Sequence, residues 1–231
     1  MKIGIIGTGN MGRVVGLALA SVGHEVFFGS RDVKKAKLVS RYDKTTLFGT
    51  NQRAAEFGDI IYYTPRDIHP GDVLEDVSVL EGKIVLESNN GNLNDQLKAE
   101  EIEISRAQIL QSQIPEAYIV KGFNTITQEI FEYSGRGLKE LEVTCFVASD
   151  NRNAAKEVMK LAEDLGFNAE YCGELFQALL LEHLGSLYRI MLRRKATPWL
   201  ALSLKEIKAT GQLRFGGRTP SSLHTQGSFL K

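Results

Sequence analysis

Short runs of apolar residues alternate along the chain with segments in which apolar positions recur every three or four residues. The short runs predict β-strands, and the periodic segments predict amphipathic helices. This alternation is typical of parallel strands joined by crossover helices. The predicted strands are residues 2–6, 25–28, 45–48, 59–64, 83–87, 118–122, 144–148 and 169–171. The pattern predicts an α/β fold of the Rossmann type, with a doubly wound, mostly parallel sheet of about eight strands.

The helical pattern changes near residue 172. Before it, helices are predicted over residues 11–22, 33–42 and 152–165, between the strands. After it the pattern is helical only, with one helix over residues 174–195 and another from Pro198 to about Ala209. We therefore expect an extended NAD(P)-binding Rossmann domain at residues 1–172 and a C-terminal helical region with a loosely held tail at 173–231.

Charge and composition exclude several kinds of partner. Lys plus Arg and Asp plus Glu each number 28, so net charge gives no reason to expect nucleic acid or a membrane as a partner. No apolar run approaches the roughly 18 residues of a membrane span. Cys145 and Cys172 lie far apart and lack metal-ligand spacing, so neither a disulfide framework nor a metal site is expected. We expect a cytoplasmic protein.

A glycine-rich turn follows the first predicted strand. The stretch "IGIIGTGNMG" places Gly7, Gly9 and Gly12 in the GxGxxG pattern at the start of the first helix. Gly7 allows a tight turn, Gly9 lets the backbone approach a pyrophosphate, and Gly12 lets helix and strand pack closely. Because strand, spacing and helix agree, the sequence predicts dinucleotide binding at the positive end of this helix.

The end of the second strand predicts which dinucleotide binds. Chains that prefer NAD carry an acidic residue here, whereas "FGSRD" offers Ser30 and Arg31. Arg31 can form charge-assisted hydrogen bonds with a 2'-phosphate, and Lys35, or else Lys34, can add a second cation. Asp32 is interpreted as the N-cap of the next helix. We therefore expect NADP(H) rather than NAD(H).

Several motifs resemble a known family. "GTGNMG", "GSRD", "AAEFGDIIYYTP", "IVLESNNGN", "KGFNTI" and the stretch that ends with "LLLEHLGSLYRIMLRR" are similar to NADPH-dependent reductases of the deazaflavin coenzyme F-420. The same Rossmann domain forms the cytosolic part of the six-transmembrane metalloreductases. Those deazaflavin reductases carry a His in the loop matched by "GFNTI", so this chain looks closer to the metalloreductase domain there.

The resemblance implies roles for individual residues. It implies that Thr8, Asn10 and Met11 line the pyrophosphate turn with the three glycines, and that Ser30, Arg31 and Lys35 hold the 2'-phosphate. Thr64 and Pro65 would flank the nicotinamide ribose, and Asn89, which lies after the fifth predicted strand, would pass the ribose and nicotinamide.

The resemblance also implies an acceptor site after the sixth strand. Asn124, Thr125 and Ile126 would form a platform on which a second redox ring stacks against the nicotinamide. Hydride transfer between two stacked rings needs no side-chain nucleophile, so no catalytic residue is assigned. Asn124 and backbone N–H groups are expected to donate hydrogen bonds to the acceptor ring as negative charge grows on it.

The resulting hypothesis is an oxidoreductase that transfers a hydride from NADPH to a deazaflavin such as coenzyme F-420, or to FMN or FAD. One alternative is a reductase of small imine or keto substrates, of the pyrroline-carboxylate reductase or hydroxyacid dehydrogenase type. Another is an NADP(H)-binding redox sensor without turnover. The partners expected are a small-molecule redox acceptor and a second copy of the chain, which pairs through the C-terminal helices.

Other polar residues give weaker signals. His24 is interpreted as a packing or surface residue, and His69, which follows the fourth strand, as a loop residue or a site residue. Glu182 and His183 on the C-terminal helix are interpreted as core-helix residues with satisfied partners rather than as an acid–base pair. Trp199 is expected to begin the last helix and to anchor a packing or subunit surface.

Overall fold

The computed structural model describes residues 1–206, which contain eight β-strands and seven α-helices. The strands are β1 (Lys2–Ile6), β2 (Glu25–Gly29), β3 (Leu47–Gly49), β4 (Ile60–Tyr63), β5 (Ile84–Glu87), β6 (Tyr118–Lys121), β7 (Thr144–Val147) and β8 (Asn168–Tyr171). The helices are α1 (Asn10–Ser21), α2 (Val33–Ser40), α3 (Asn51–Phe57), α4 (Arg106–Gln113), α5 (Gly135–Glu140), α6 (Arg152–Asp164) and α7 (Ala178–Lys195). Helices and strands alternate from β1 to β4, as the hydrophobic pattern predicts.

The main sheet has six parallel strands in the order β3-β2-β1-β4-β5-β6. The chain winds outward in one direction from β1 to β3 and in the other from β4 to β6. The carboxyl ends of β1 and β4 therefore flank the crevice in which Rossmann folds bind their ligands. The predicted fold class is confirmed.

The prediction of about eight strands in one sheet is wrong. The last two strands, β7 and β8, form a separate parallel pair. That pair meets the main sheet at one antiparallel bridge, where Lys121 and Ala148 exchange backbone hydrogen bonds of 2.8 and 3.0 Å. A buried apolar run has the same sequence pattern in either sheet, so the sequence could not assign these strands.

Two apolar layers cover the sheet. On one face α1 and α6 pack through residues such as Val15 and Val158 against Ile5. On the other face α3 and α4 pack through Ala55 and Leu110. The central strands are buried on both faces, which explains why they read as continuous apolar runs.

The predicted strand at residues 45–48 begins two residues later, at Leu47. Asp43 holds the preceding segment in a turn, because its carboxylate accepts hydrogen bonds from the backbone N–H and the hydroxyl of Thr45. The β-branched threonines therefore belong to the turn rather than to the strand.

The predicted helix from Pro198 is wrong over the described residues. Helix α7 ends at Lys195, and Ala196 takes a left-handed conformation with φ 49°. Residues 197–206 are not helical. Instead, Leu202 O accepts a 2.8 Å hydrogen bond from Thr144 N, so this segment runs along β7 and Trp199 lies outside any helix. Ala209 and the predicted tail lie outside the described residues.

Candidate functional site

The glycine turn lies at the carboxyl end of β1, and its three glycines differ in what surrounds them. Gly7 has φ +93°, and a Cβ there would lie 2.5 Å from Thr64 Oγ1. A Cβ on Gly12 would lie 2.1 Å from Gly7 O, so helix and turn could not pack. A Cβ on Gly9 would meet nothing within 4 Å. The protein's own packing therefore explains two glycines, while the space beside Gly9 stays open to a ligand.

Helix α1 begins at this turn with its positive end uncovered. Gly9 is the N-cap, no side chain caps the helix, and the first turn carries no acidic residue. Backbone N–H groups at such an end attract anions such as a pyrophosphate. Thr8 is half-buried and Asn10 is exposed, and both border the groove described next.

One end of the groove measures about 320 Å³ and contains the predicted phosphate clamp. Its walls include Ser30, Arg31 and Lys35, together with Thr64 and Pro65. The structure thus brings these five predicted site residues together at the end of β2 and β4.

Side-chain contacts in the clamp leave its donors available. Ser30 is buried, and its Oγ accepts a 3.2 Å hydrogen bond from Asp32 N, so its own O–H stays free to donate. The carboxylate of Asp32 accepts from Lys34 N at 3.0 Å and caps α2, as the sequence predicts. Among residues 1–206, no carboxylate lies within 4 Å of Arg31 or Lys35. The clamp therefore carries uncompensated positive charge.

Asn51 is a candidate that the sequence reasoning missed. It begins α3 and lies in the wall of the same groove. Its Nδ2 donates a 3.2 Å hydrogen bond to Val73 O, while its buried Oδ1 has no partner. A buried carbonyl oxygen without a partner is uncommon, and an adenine amino group or a ribose hydroxyl could satisfy it. The only sequence signal is its place just after the Thr50 N-cap.

The other end of the groove is a larger cleft of about 570 Å³, which shares Gly9 and Thr64 with the clamp. Amide and hydroxyl side chains dominate its wall. Among predicted site residues, the lining includes Gly9, Asn10, Met11, Gly12, Thr64, Asn89, Asn124 and Ile126. Thr125 is buried and is not part of the lining. Two of the three residues of the predicted acceptor platform, Asn124 and Ile126, therefore line the cleft.

Asn124 is fixed by hydrogen bonds that change its expected role. Its Nδ2 donates to Asn90 Oδ1 at 2.8 Å and to Leu181 O at 2.7 Å. Both amide hydrogens are used, so the expected donation from this side chain to an acceptor ring is wrong. Its Oδ1 is buried without a partner. Gly185 makes room for this arrangement, because a Cβ there would lie 2.2 Å from Asn90 Oδ1.

A buried charge cluster lies directly beneath the cleft. Lys121, at the end of β6, donates to Glu87 Oε2 at 2.7 Å and to Glu182 Oε1 at 2.8 Å, and all three side chains are at most 2% exposed. Arg106 Nη1 lies 3.7 Å from Glu182 Oε2, and Arg106 N donates to Oε1 at 2.8 Å. Burial raises the pKa of Glu182, and the positive charge of Lys121 opposes that shift.

The cluster also forms hydrogen bonds with the backbone of Asn89, which lines the cleft. The Lys121 ammonium donates to Asn89 O, and Glu87 Oε1 accepts from Asn89 N. The peptide groups on both sides of Asn89 are therefore held by buried charges. The interpretation of Glu182 as a core residue with partners agrees with these contacts. No local pattern indicated that Lys121, in "KGFNTI", would be its partner. The same interpretation is wrong for His183, which is exposed.

Two of the histidines, His24 and His69, lie apart from this chemistry. His24 Nε2 is 3.2 Å from Asp164 Oδ2, and burial lowers the pKa of His24. His69 Nδ1 accepts a 3.0 Å hydrogen bond from Gly71 N and caps a short turn. Neither lines the groove.

Known proteins resemble this chain both in sequence and in fold. Residues 2–91 match the family model described as "NADP oxidoreductase coenzyme F420-dependent". The F420-dependent NADP reductase of Methanothermobacter marburgensis is 28% identical over 207 residues, which cover 79% of this chain and 88% of that protein. A crystal structure of a candidate F420-dependent NADP reductase from Arthrobacter sp. FB24 covers 89% of this chain with a TM-score of 0.78 at 21% identity, which shows a shared fold.

Metalloreductase STEAP2 of Mus musculus is 26% identical over 184 residues, or 80% of this chain. The chain spans only 36% of the length of that relative. Within residues 1–206, no helix has the length and apolar character needed to cross a membrane. The resemblance predicted from the sequence motifs is confirmed: residues 2–91 match the model of the coenzyme F420-dependent NADP oxidoreductases, and the chain is similar in sequence to an F420-dependent NADP reductase.

Proposed function

We propose that this chain binds NADPH along the groove and transfers its hydride to a flavin or deazaflavin ring in the larger cleft. The observation that carries the proposal is the order of features along the groove. The cationic clamp lies at one end, the open helix end lies in the middle, and the amide-lined cleft lies at the other. A dinucleotide 2'-phosphate, pyrophosphate and nicotinamide follow one another in the same order.

The NADP(H) part rests on charge. In the proposal Arg31, Lys35 and the free hydroxyl of Ser30 hold the 2'-phosphate. The amides of Asn10 and Met11 hold the pyrophosphate, with Thr8 beside them, and the nicotinamide ribose lies against Thr64 and Pro65. The carboxylate of Asp32 accepts a hydrogen bond from Lys34 N as the cap of α2, and Asp32 does not line the clamp. The nicotinamide is the reductant, and the groove residues hold and orient it.

The reaction moves one hydride and no other group. The C4–H bond of NADPH breaks, and a bond forms from that hydrogen to N5 of a flavin or to C5 of a deazaflavin. NADPH is oxidised to NADP+, and the reduced ring takes a proton from solvent. The cleft must hold the two rings with the reacting atoms about 3 to 3.5 Å apart.

The wall of the cleft suits ring-to-ring transfer better than imine or keto reduction. Reduction of a small imine or ketone needs an acid that protonates the substrate. Within residues 1–206 the lining contains no Lys, His, Asp or Cys. Its one carboxylate, Glu129, accepts a hydrogen bond from Gln128, and the Tyr188 hydroxyl donates to Leu200 O at 2.6 Å. Flat amides such as those of Asn89 and Asn124, beside Ile126, can instead pack against a planar ring. Backbone N–H groups take over the stabilising role expected of the Asn124 side chain.

An anaerobic acceptor panel tests the proposal. NADPH is mixed with protein and one acceptor from a set of FMN, FAD, a deazaflavin, a cyclic imine and a ketone, and its 340 nm absorbance band is followed. We expect oxidation with the flavin or deazaflavin acceptors only. Oxidation with the imine or ketone alone would support the small-substrate alternative. Tight NADPH binding with no oxidation by any acceptor would support the sensor alternative.

We also propose that two copies pair through α7. This helix and the residues before it expose Phe176, Leu180, Leu187 and Met191, which lie at helical spacing. A continuous apolar stripe of this kind is typical of an interface. A second copy offers the same stripe, which makes a two-fold contact possible. Light scattering should give the mass of a dimer, and Leu187→Glu should reduce it to that of a monomer.

A further inference from the structure

Two arginines meet at the outer wall of the cleft. Arg66 follows β4, and Arg189 lies on α7, and both line the cleft. Arg189 Nη1 donates to Gly91 O at 2.6 Å, and Arg66 Nη1 donates to Asn92 Oδ1 at 3.2 Å. Because Gly91 and Asn92 are neighbours, these two bonds hold the guanidinium groups near each other, close enough for the charge of Arg66 to act on Arg189. Each guanidinium keeps further N–H groups for another partner.

The charge of this pair is not neutralised by the described chain. Within residues 1–206, no carboxylate lies within 4 Å of either guanidinium. Glu129 also lines the cleft, but its carboxylate lies more than 4 Å from both guanidinium groups and accepts a hydrogen bond from Gln128. Burial lowers the pKa of Arg189, and the positive charges of Arg66, Arg193 and Arg106 lower it further. Like charges held together at a half-buried position are costly unless an anion joins them.

We infer that Arg66 and Arg189 form an anion subsite for the acceptor, so that the acceptor is a ring compound carrying a phosphate ester rather than a neutral ring. This inference rests on the proposed function. Paired guanidinium groups match the geometry of phosphate oxygens and bind them through several charge-assisted hydrogen bonds. Such a subsite would bind the phosphate of the acceptor, which lies some distance from the reacting ring. This contact would orient the ring in the cleft.

The dinucleotide already has other partners for its phosphates. The clamp residues Ser30, Arg31 and Lys35 lie at the opposite end of the groove, and the open end of α1 lies between the two ends. Arg66 and Arg189 line only the cleft and not the clamp. Their charge is therefore left for the second substrate.

The test uses two flavins that differ by one phosphate. FMN and riboflavin are titrated into the complex of the full chain with NADP+, and binding is measured by equilibrium dialysis. We expect the wild-type protein to prefer FMN by about tenfold or more, as paired charge-assisted contacts would give. Arg189→Gln and Arg66→Gln should each reduce that preference severalfold, and Arg189→Lys should retain part of it. Arg194→Gln removes one charge from an exposed position of the same helix and is the matched control.

Several outcomes would overturn the inference. It fails if the wild-type complex binds FMN and riboflavin within twofold of each other or binds neither. It also fails if Arg194→Gln reduces the preference as much as Arg189→Gln, because a diffuse charge effect would then suffice. A loss of NADPH affinity in Arg189→Gln as large as the loss of FMN preference would assign the pair to the dinucleotide. Preferential FMN binding without NADPH oxidation would instead refute the proposed function alone.

Discussion

Lys121 and Arg189 are both cations near the carboxyl ends of β5 and β6, and their surroundings differ completely. Lys121 is fully buried between Glu87 and Glu182, with hydrogen bonds of 2.7 and 2.8 Å. Arg189 is half-buried, has a backbone carbonyl as its hydrogen-bond partner, and lies close to the charge of Arg66. One cation is compensated inside the fold, and the other faces a cleft.

This difference distinguishes residues that stabilise the site from residues that are available to bind a ligand. A buried charge with carboxylate partners stabilises the fold only while the set is complete, so it has little to offer a substrate. A cation that lines a groove without a carboxylate is available to an anion. Arg31 and Lys35 share the second property at the clamp end. The same contrast holds for the glycines, since the protein fills the space around Gly12 and leaves it open beside Gly9.

Removing Lys121 should have the largest effect on the fold. Lys121→Met leaves the buried carboxylate of Glu87 without its cation and leaves Glu182 with only Arg106, 3.7 Å away. The free energy of unfolding should fall by about 3 to 5 kcal/mol. Urea denaturation followed by circular dichroism measures it. Lys83→Met is the control, because Lys83 is only partly buried and bonds to Ala55 O. Adding Glu87→Gln and Glu182→Gln to Lys121→Met should restore much of the loss. A loss in Lys121→Met no larger than in Lys83→Met would contradict the account.

Substitution of Gly9 should impair ligand binding, whereas substitution of Gly12 should impair folding. Gly9→Val should reduce NADPH affinity at least about a hundredfold, since its side chain would fill the space meant for the pyrophosphate. Stability should change by no more than about 1 kcal/mol, because the added Cβ meets no protein atom within 4 Å. Gly12→Val should instead unfold the protein, as its Cβ would lie 2.1 Å from Gly7 O. Calorimetric titration and thermal melting distinguish the two. A Gly9→Val protein that still binds NADPH normally would show that the open space is not the site.

The clamp can be tested with neighbouring cations. Arg31→Ala should weaken NADPH binding by about 1.5 to 3 kcal/mol, roughly ten- to a hundredfold, while NADH binding changes little. Lys34→Ala is the control, since Lys34 is exposed and does not line the groove. Fluorescence titration with both nucleotides measures the ratio. Equal losses for NADPH and NADH would refute the assignment of Arg31 to the 2'-phosphate.

A smaller effect should appear in the pH dependence of stability. Burial raises the pKa of Glu182, so the folded state holds its proton more tightly than the unfolded state does. The contribution of Glu182 to stability is therefore present below its unfolded pKa near 4.5 and is lost as pH rises toward the folded value. The stability of wild type relative to Glu182→Gln should fall by at most about 1.4 kcal/mol per pH unit in that window. Urea midpoints at several pH values measure this difference, and a rise with pH would contradict the assignment.

The sequence predicted the parts of the molecule that depend on local pattern. The strands up to residue 172, the helices α1, α2 and α6, the roles of Gly7 and Gly12 and the Asp32 cap all follow from spacing and residue type, whereas α3, α4 and α5 were not predicted. The sequence did not predict which buried run joins which sheet, since β7 and β8 look the same in either one. It also missed the segment after Pro198. A proline at that position is typical of a helix start, but the segment instead forms a hydrogen bond with Thr144.

The site was predictable only where its residues adjoin motifs. Lys121 and Glu182 lie 61 positions apart, and Gly91 and Arg189 lie 98 apart. No local pattern reports contacts of this range, so the ion cluster and the arginine pair emerge only from the fold. Asn124 illustrates the same limit, since its position was predicted but the partners of its amide group were not.

The central claim is direct hydride transfer from NADPH to a ring in the cleft. The most direct measurement mixes the protein anaerobically with a deazaflavin and NADPH that carries deuterium on the transferring face of C4, and then records the proton spectrum of the reduced deazaflavin. The hydrogen at C5 of a reduced deazaflavin does not exchange with water, so the account predicts deuterium at C5. Reduction without deuterium at C5, or no reduction of the deazaflavin or of FMN and FAD, would contradict it.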